Sequence, residues 1–234
     1  MLNDFKKIIF FLLLISFKSN AITSNTLFLV ADSNDKGIYT LLNNDKDRVY
    51  IKTKMLRVDV SDNKVNKTVL NRDNINLWNI SIDPGKFVLN PGEMKNVGVR
   101  YLCKDGCNQD RDEIYQFQFL PVDNPNIKKD NNSVNIRFSV APYFVIPAKN
   151  QHVDFDYDFD KKNNNLTINN KGNTFLKFEV NNCNKYKSEK SCRSVYFSLA
   201  KQKKVIKLPE SLVSSHTLVK VANYDQSVQR EFSL

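Results

Sequence analysis

Residue types that often do chemistry are sparse in this sequence. The 234-residue chain has two histidines, His152 and His216, and neither lies in a catalytic or metal-binding motif. No Gly-x-Ser-x-Gly turn occurs, and the six glycines form no phosphate-binding loop. A catalytic site needs a nucleophile, an acid or base, and a group that orients them. The sequence therefore predicts a protein that is not an enzyme and needs no cofactor.

The four cysteines fall into two local pairs, Cys103 with Cys107 and Cys183 with Cys192. In an oxidising compartment, pairing of nearest neighbours into two disulfides is the simplest framework. A zinc site would need a Cys-His spacing that neither histidine provides. We therefore predict two disulfides, each closing a short loop, and no metal.

A row of aspartates between residues 154 and 160 alternates with aromatic residues. Carboxylate oxygens suit calcium, but an EF-hand loop also needs a glycine and a terminal bidentate acid. In a strand all four carboxylates would face one side. We interpret the row as the solvated face of a strand whose aromatic face lies in a core. A secreted calcium-dependent binding module stays open as an alternative.

The first 21 residues have the features of a secretory signal. Lys6 and Lys7 precede an apolar run over residues 8–17, and small residues occupy positions 19 and 21. The run is about half of the roughly 20 residues that a transmembrane helix needs. We expect a signal peptide over residues 1–21 and a mature chain that begins at about Ile22.

The chain is basic, with a formal net charge of +10. Residues 1–21 carry three lysines and one aspartate, so their removal lowers the net charge by two, to +8. The lysines are spread along the chain, and an exported protein does not meet nucleic acid. The charge therefore predicts a solvated basic surface that favours carboxylate-bearing partners.

Short runs of alternating apolar and polar residues, separated by turn signals, predict an all-β fold. In residues 114–119, for example, Phe117 and Phe119 fall on one face, whereas Gln116 and Gln118 fall on the other. The pattern predicts that the phenylalanines are buried and the glutamines are solvated. No later stretch keeps a capped helical period over ten residues, so we expect little helix.

The mature chain of about 213 residues exceeds an ordinary single domain. The best boundary is at residues 146–149, where a long apolar strand ends at Pro147. We therefore predict two immunoglobulin-like β-sandwich domains, at residues 22–146 and 147–234.

The strand over residues 133–140 carries the strongest functional pattern. Its large apolar side chains alternate with polar ones: Val134, Ile136, Phe138 and Val140. Such a row is typical of a core strand. At a sheet edge, however, the same row and the free backbone groups would form a template for adding a strand from another chain.

Several segments together resemble the PapD-like periplasmic pilus chaperones. They are residues 82–92 (IDPGKFVLNPG), 96–100 (NVGVR), 113–122 and 133–147 (SVNIRFSVAPYFVIP). In the second half, residues 165–173 with Cys183 and Cys192 are most similar to the alternate-clade chaperones of common-pilus and colonisation-factor fimbriae.

The resemblance implies two immunoglobulin-like domains in an angled, L-shaped arrangement in the periplasm. It implies that the apolar row from Val134 to Val140 inserts into the groove of a pilus subunit whose fold lacks a strand. The chaperone would then deliver the subunit to the outer-membrane usher. The exposed apolar edge also predicts self-association of the free protein. The alternative is an exported immunoglobulin-like pilus component or adhesin.

One departure from the family concerns the basic pair that anchors the subunit's terminal carboxylate. The family has an arginine on the first strand and a lysine late on the subunit-binding strand. Here residues 26–31 contain no basic residue, and the late position falls near Pro142 or Tyr143. Arg137 and Lys149 are the candidates that remain for this anchor.

Overall fold

The computed structural model describes residues 22–103, 109–122, 138–183 and 189–234. Within the described residues, ten strands precede residue 147: β1 (Ile22–Ser24), β2 (Phe28–Val30), β3 (Lys36–Asn43), β4 (Val49–Ser61), β5 (Lys64–Val69), β6 (Ile80–Asp83), β7 (Lys86–Leu89), β8 (Met94–Tyr101), β9 (Glu113–Val122) and β10 (Tyr143–Ile146). Seven strands follow in the described part of the chain: β11 (Phe155–Asp160), β12 (Asn165–Asn170), β13 (Leu176–Asn181), β14 (Arg193–Ser198), β15 (Lys203–Lys207), β16 (Leu218–Ala222) and β17 (Gln229–Ser233). The described helices are short: α1 (Glu189–Cys192) and two 3-10 turns, Arg72–Leu77 and Glu210–Leu212.

The first sandwich is built from two sheets. One has the strand order β1-β3-β8-β6, and the other has the order β2-β10-β9-β4-β5 with β7 paired to β4. The pairs are antiparallel except β2 with β10, which run parallel. Between Ser24 and Phe28 the chain therefore crosses from the first sheet to the second.

Alternation of apolar residues builds the core between these sheets. On β8, Val97, Val99 and Tyr101 are buried and the residues between them are exposed. Phe117 and Phe119 face them from β9 and are fully buried, as the sequence predicts. Gly37 permits β3 to approach β10 closely, because a Cβ at this position would lie 2.6 Å from the Phe144 ring.

The second sandwich also consists of two sheets, one with the strand order β11-β12-β15 and the other with the order β14-β13-β16-β17. Its core consists of alternating side chains from both sheets, among them Leu166, Ile168, Phe178, Val180 and Val219. Phe155 and Phe159 of β11 pack against this core, but Tyr157 between them is 45% exposed and stacks on Phe232 at 3.5 Å. The aromatic face of β11 is thus only partly in the core, because β11 is an edge strand.

A third hydrophobic cluster joins the two sandwiches. Val58, Ile114 and Val145 project from the second sheet of the first sandwich and pack against Phe175 and Leu199. In the same cluster the Phe28 ring stacks on Phe197, with centroids 4.1 Å apart and planes 4° apart. This outer face of the sheet is consequently apolar rather than solvated.

The joint also contains a buried carboxylate, Asp112. Its oxygens accept hydrogen bonds from the backbone N–H of Ala148 at 2.8 Å and of Phe175 at 2.6 Å, and from the Thr174 hydroxyl at 3.2 Å. Burial raises the pKa of this carboxyl to about 6. One side chain therefore ties β9 to the connecting segment and to the second sandwich.

The all-β prediction and the two immunoglobulin-like sandwiches are confirmed. The prediction for Gln116 is wrong: its side chain is 5% exposed. Gln118 on the same face is only half-buried. The reason is that this face of β9 is the one that the third cluster covers at Ile114, and a two-residue period cannot indicate that both faces are covered.

Candidate functional site

The segment that pairs with β9 includes β10 and extends upstream of it to Val140. Tyr143 lies opposite Gln116 of β9, and an isolated bridge pairs Val140 with Phe119 in the same register. The N–H of Phe117 donates to the Pro142 carbonyl at 2.9 Å, and that of Phe119 donates to the Val140 carbonyl at 2.8 Å. The chain from Val140 to Ile146 therefore runs beside β9 in one register, with β10 at its end.

The other side of this strand is covered only in part. The Tyr143 N–H donates to the Leu27 carbonyl at 2.9 Å, and the Ala31 N–H donates to the Val145 carbonyl at 2.8 Å. Before Leu27 the chain leaves for the first sheet, so β2 pairs only with Tyr143–Val145. Among the described residues, the N–H and C=O of Ser139 and the N–H of Ala141 form no hydrogen bond. We call these unpaired groups the open edge.

The apolar side chains of this strand are buried at its Phe144 end and exposed at its Phe138 end. Phe144 is fully buried, Val140 is half-buried against the first core, and Phe138 is 59% exposed. All three lie on the same side of the strand, because side chains alternate with a period of two. The row thus changes from core to surface between Val140 and Phe138. Val134, Ile136 and Arg137 lie outside the described residues and stay predictions.

Lys67, a residue that the sequence analysis did not single out, lies close to this strand. The Lys67 ammonium lies 5.5 Å from the centroid of the Tyr143 ring, on the sheet face that carries Val58. Lys67 is on β5, far from Tyr143 in sequence, and no motif signals it. On the second sandwich, the Lys204 ammonium donates to the Phe197 carbonyl at 2.7 Å, and burial lowers its pKa.

Lys149, one of the two anchor candidates, lies at the joint. Its side chain is exposed, and its backbone N–H donates to the Gln109 carbonyl at 3.1 Å. The structure thus places Lys149 beside the segment that precedes β9 and not beside Tyr143, where the late basic position of the family falls.

Gln116 is a second residue that sequence reasoning missed. Its Nε2 donates to the Ala141 carbonyl at 3.0 Å, and its buried Oε1 has no partner within the described part of the chain. No sequence signal predicts this contact, because Gln116 meets Ala141 only through the pairing of β9 with the neighbouring strand.

The disulfide Cys183–Cys192 is present, with 4.8 Å between the Cα atoms. Cys103 is also disulfide-bonded, and its predicted partner Cys107 lies outside the described residues. In the aspartate row, Asp156 pairs with Lys171 at 2.5 Å. Residues 22–103, 109–122, 138–183 and 189–234 contain no group of three side chains that could hold a metal ion.

A cluster of titratable groups closes one end of the first sandwich. Glu113 accepts hydrogen bonds from the hydroxyls of Tyr101 at 2.5 Å and Tyr115 at 2.9 Å. Burial, reinforced by the Glu113 carboxylate, raises the pKa of both tyrosines. Arg57 nearby pairs with Asp59 at 3.3 Å. Each polar group is paired with its neighbours, so the cluster is explained by packing.

In the part of the chain that the structure describes, no helix has the length and apolar character to span a membrane.

The sequence model of the CS5 fimbrial protein N-terminal domain matches residues 24–147. The chain belongs to this family. It is also 25% identical over 189 residues to an uncharacterized 25.9 kDa Escherichia coli protein from the CS5 3' region, a match that covers 80% of this chain and 81% of that protein.

Solved structures of pilus chaperones share the fold. The class 5 fimbriae chaperone CfaA is 12% identical with a TM-score of 0.53, over 91% of this chain and 98% of CfaA. A chain of the Salmonella enterica complex of SafA pilin with the SafB chaperone is 11% identical with a TM-score of 0.54, over 94% and 99% of the two chains. A chain of the CsuC-CsuE chaperone-tip adhesion subunit complex of Acinetobacter baumannii is 10% identical with a TM-score of 0.51, over 92% and 97%. At these identities the likeness establishes the fold.

Proposed function

We propose that this protein is a periplasmic chaperone that binds pilus subunits by donating the strand at residues 133–140 and delivers them to the outer-membrane usher. The observation that carries the proposal is the open edge at Ser139 and Ala141, beside an apolar row that emerges from its core at Phe138. Unpaired backbone groups next to a row of apolar side chains form a template for strand addition. The fold that the chain shares with pilus chaperones supports the same conclusion.

The capture needs no catalysis. Each large apolar side chain taken fully out of water contributes about 1.5–3 kcal/mol. The row of Val134, Ile136, Phe138 and Val140 therefore provides about 6–12 kcal/mol before the entropy of association is deducted. Backbone hydrogen bonds along the open edge fix the direction of the added strand. The same exposed row favours self-association of the free protein.

The proposal includes export and two domains. Residues 1–21 act as a signal peptide, and the mature chain begins at about Ile22. The boundary between domains at residues 146 and 147 is supported by the described strand pairs, because each lies wholly within residues 22–146 or within residues 155–234.

The subunit's terminal carboxylate requires a basic partner in this arrangement. Arg137 and Lys149 stay as proposed anchors. Lys67 is a third, because its ammonium lies over the ring of Tyr143, next to the point where the open edge ends.

A mutation on the apolar row tests the donated strand. The double variant Ile136→Asp plus Phe138→Asp should abolish co-purification with co-expressed pilus subunits, because two charges cannot enter an apolar groove. The matched control is Asn135→Asp plus Ser139→Asp, which adds the same charges on the opposite side of the strand and should retain most of the subunit. Circular dichroism should show both variants folded, and normal capture by the first variant would contradict the proposal.

The second candidate, an exported pilus component or adhesin, differs in where the protein ends up. A subunit becomes part of a surface polymer, whereas a chaperone stays in the periplasmic extract. Fractionation of the cells, followed by immunoblotting of sheared pili and periplasm, separates the two.

A further inference from the structure

The second half of the chain carries most of the net positive charge of residues 22–234. Residues 147–234 contain 15 lysines and arginines and nine aspartates and glutamates, a formal net charge of +6. Residues 22–146 contain 17 basic and 15 acidic residues, a net charge of only +2. A concentrated positive charge favours contact with anionic partners such as membranes. The place of these basic residues in the fold is therefore informative.

Strand β15 puts three side chains on the outer face of its sheet. Lys203, Val205 and Lys207 alternate with Lys204 and with Ile206, which is buried in the core. Lys203 and Lys207 are exposed, and Val205 between them is 60% exposed. The residues of β12 that lie beside these three are two asparagines and a threonine, so the neighbouring strand adds no charge. The outer face of β15 thus presents an apolar side chain between two lysines.

Three further exposed lysines lie at the two ends of β15. The Lys207 ammonium donates to the Asn163 carbonyl in the turn between β11 and β12, and this turn brings Lys161 and Lys162 to one end. Lys201 precedes β15 at the other end. We call this group the lysine face, and its members are Lys161, Lys162, Lys201, Lys203, Lys207 and Val205.

The acidic residues of the same sheet lie at its other edge. Asp156, Asp158 and Asp160 are on β11, two strands from β15, so about 10 Å separate the two rows. The Asp156 carboxylate is already paired with Lys171 at 2.5 Å. Among the described residues, no carboxylate forms an ion pair with a lysine of the lysine face. The lysine face therefore keeps its positive charge.

The lysine face lies on the side of the second sandwich that points away from the first. Phe197 is on the outer face of the other sheet, β14-β13-β16-β17, and stacks on Phe28 of the first sandwich. The outer face of β11-β12-β15 is consequently on the far side. A flat surface can reach it without meeting the first sandwich or covering the open edge.

We propose that the lysine face docks the protein on a membrane surface that contains anionic lipids. The ammonium groups bind lipid phosphates, and Val205 enters the interfacial region between them. Every cation of the face is a lysine, whereas protein–protein interfaces are depleted in lysine and enriched in arginine. A diffuse layer of lipid phosphates suits the point charge of lysine and needs no bidentate geometry. The inference goes beyond the proposed function and does not depend on it.

The test measures how residues 22–234 co-sediment with lipid vesicles. We expect binding to vesicles of phosphatidylcholine that contain about one third phosphatidylglycerol. We expect no binding to phosphatidylcholine alone, and a loss of binding as added salt screens the charges. Lys203→Gln plus Lys207→Gln should lower the partition coefficient by about fivefold for each lysine. Val205→Ser keeps the charge and should lower it by about fivefold, because less apolar surface leaves water.

The matched control is Lys52→Gln plus Lys86→Gln, which removes the same charge from two exposed positions of the first sandwich. It should retain most of the binding. Thermal unfolding checks each fold, and Lys203→Gln alone replaces the double variant if that variant does not fold.

The inference is overturned if the unmodified chain does not bind the anionic vesicles, or if the control loses as much binding as the folded lysine-face variant. Unchanged binding of Val205→Ser would indicate a polar acidic partner, such as a protein surface, and would overturn it as well. Inorganic phosphate should release the protein no better than chloride of equal ionic strength. Stronger release by phosphate would indicate a site for a single phosphate group and not a membrane surface.

Discussion

Phe138 and Val140 belong to the same row of apolar side chains but lie in different surroundings. Val140 packs against the first core, whereas Phe138 is 59% exposed. Two substitutions of equal chemistry should therefore have unequal effects. At the scale of single residues, this contrast separates the part of the strand that holds the fold from the part that is free to bind.

We predict that Val140→Asp lowers the free energy of unfolding by about 1–3 kcal/mol, because it places a charge against the core. Phe138→Asp should change that free energy by no more than about 0.5 kcal/mol, because its site is already solvated. Urea unfolding followed by fluorescence measures both values. Equal losses for the two variants would show that Phe138 is part of the core.

At the scale of elements, the close approach of β3 to β10 depends on Gly37. A Cβ at this position would lie 2.6 Å from the Phe144 ring and 2.7 Å from the Leu29 side chain. Both neighbours belong to the strands that flank the open edge. The absence of a side chain at Gly37 thus helps to hold β2 and β10 together next to the point where the open edge ends.

We predict that Gly37→Val destabilises the protein by about 1–3 kcal/mol, because the core must shift to accept the added atoms. The control is Gly85→Ala, since a Cβ at Gly85 meets no atom within 4 Å. It should change the free energy of unfolding by about 0.5 kcal/mol or less. Chemical denaturation measures both variants, and a neutral Gly37→Val would contradict the tight packing.

At the scale of the whole molecule, Asp112 makes the joint between the sandwiches sensitive to pH. Burial is the largest cause of its raised pKa of about 6, and it outweighs the hydrogen bonds from Ala148 and Phe175 and the charge of Arg111, which lower the pKa. The folded protein therefore binds the proton more tightly than the unfolded chain, whose aspartates have a pKa near 4. Proton binding to the folded state then favours folding at low pH.

We predict that the contribution of Asp112 to stability is fully present below about pH 4 and is lost as the pH rises through about 6. A shift of about two pKa units corresponds to about 3 kcal/mol. Asp112→Asn should abolish this part of the pH dependence. It should also destabilise the protein at pH 7 by about 1–3 kcal/mol, because its amide donor faces a backbone N–H. Thermal unfolding from pH 4 to pH 7 measures both effects, and identical slopes for the two proteins would refute the assignment.

Much of the architecture could be predicted from the order of residues along the chain. The alternation of Phe117 with Phe119 determines which face of β9 is buried, because the two-residue period of a strand is a local property. The pair Cys183 and Cys192 was likewise predictable, because a short loop brings its two ends together whatever the rest of the chain does. The apolar row from Val134 to Val140 was visible in the same way, as an alternation.

Tertiary structure decided what that row and its surroundings can do. The open edge exists because β2 pairs only with Tyr143–Val145 and the chain before it crosses to the other sheet. Gln116 is buried on a face that its own strand pattern marks as polar, and the third cluster covers that face at the neighbouring Ile114. Lys67 reaches Tyr143 through the pairing of β5 with β4. These features depend on contacts between residues far apart in the sequence, and a local period carries no information about such contacts.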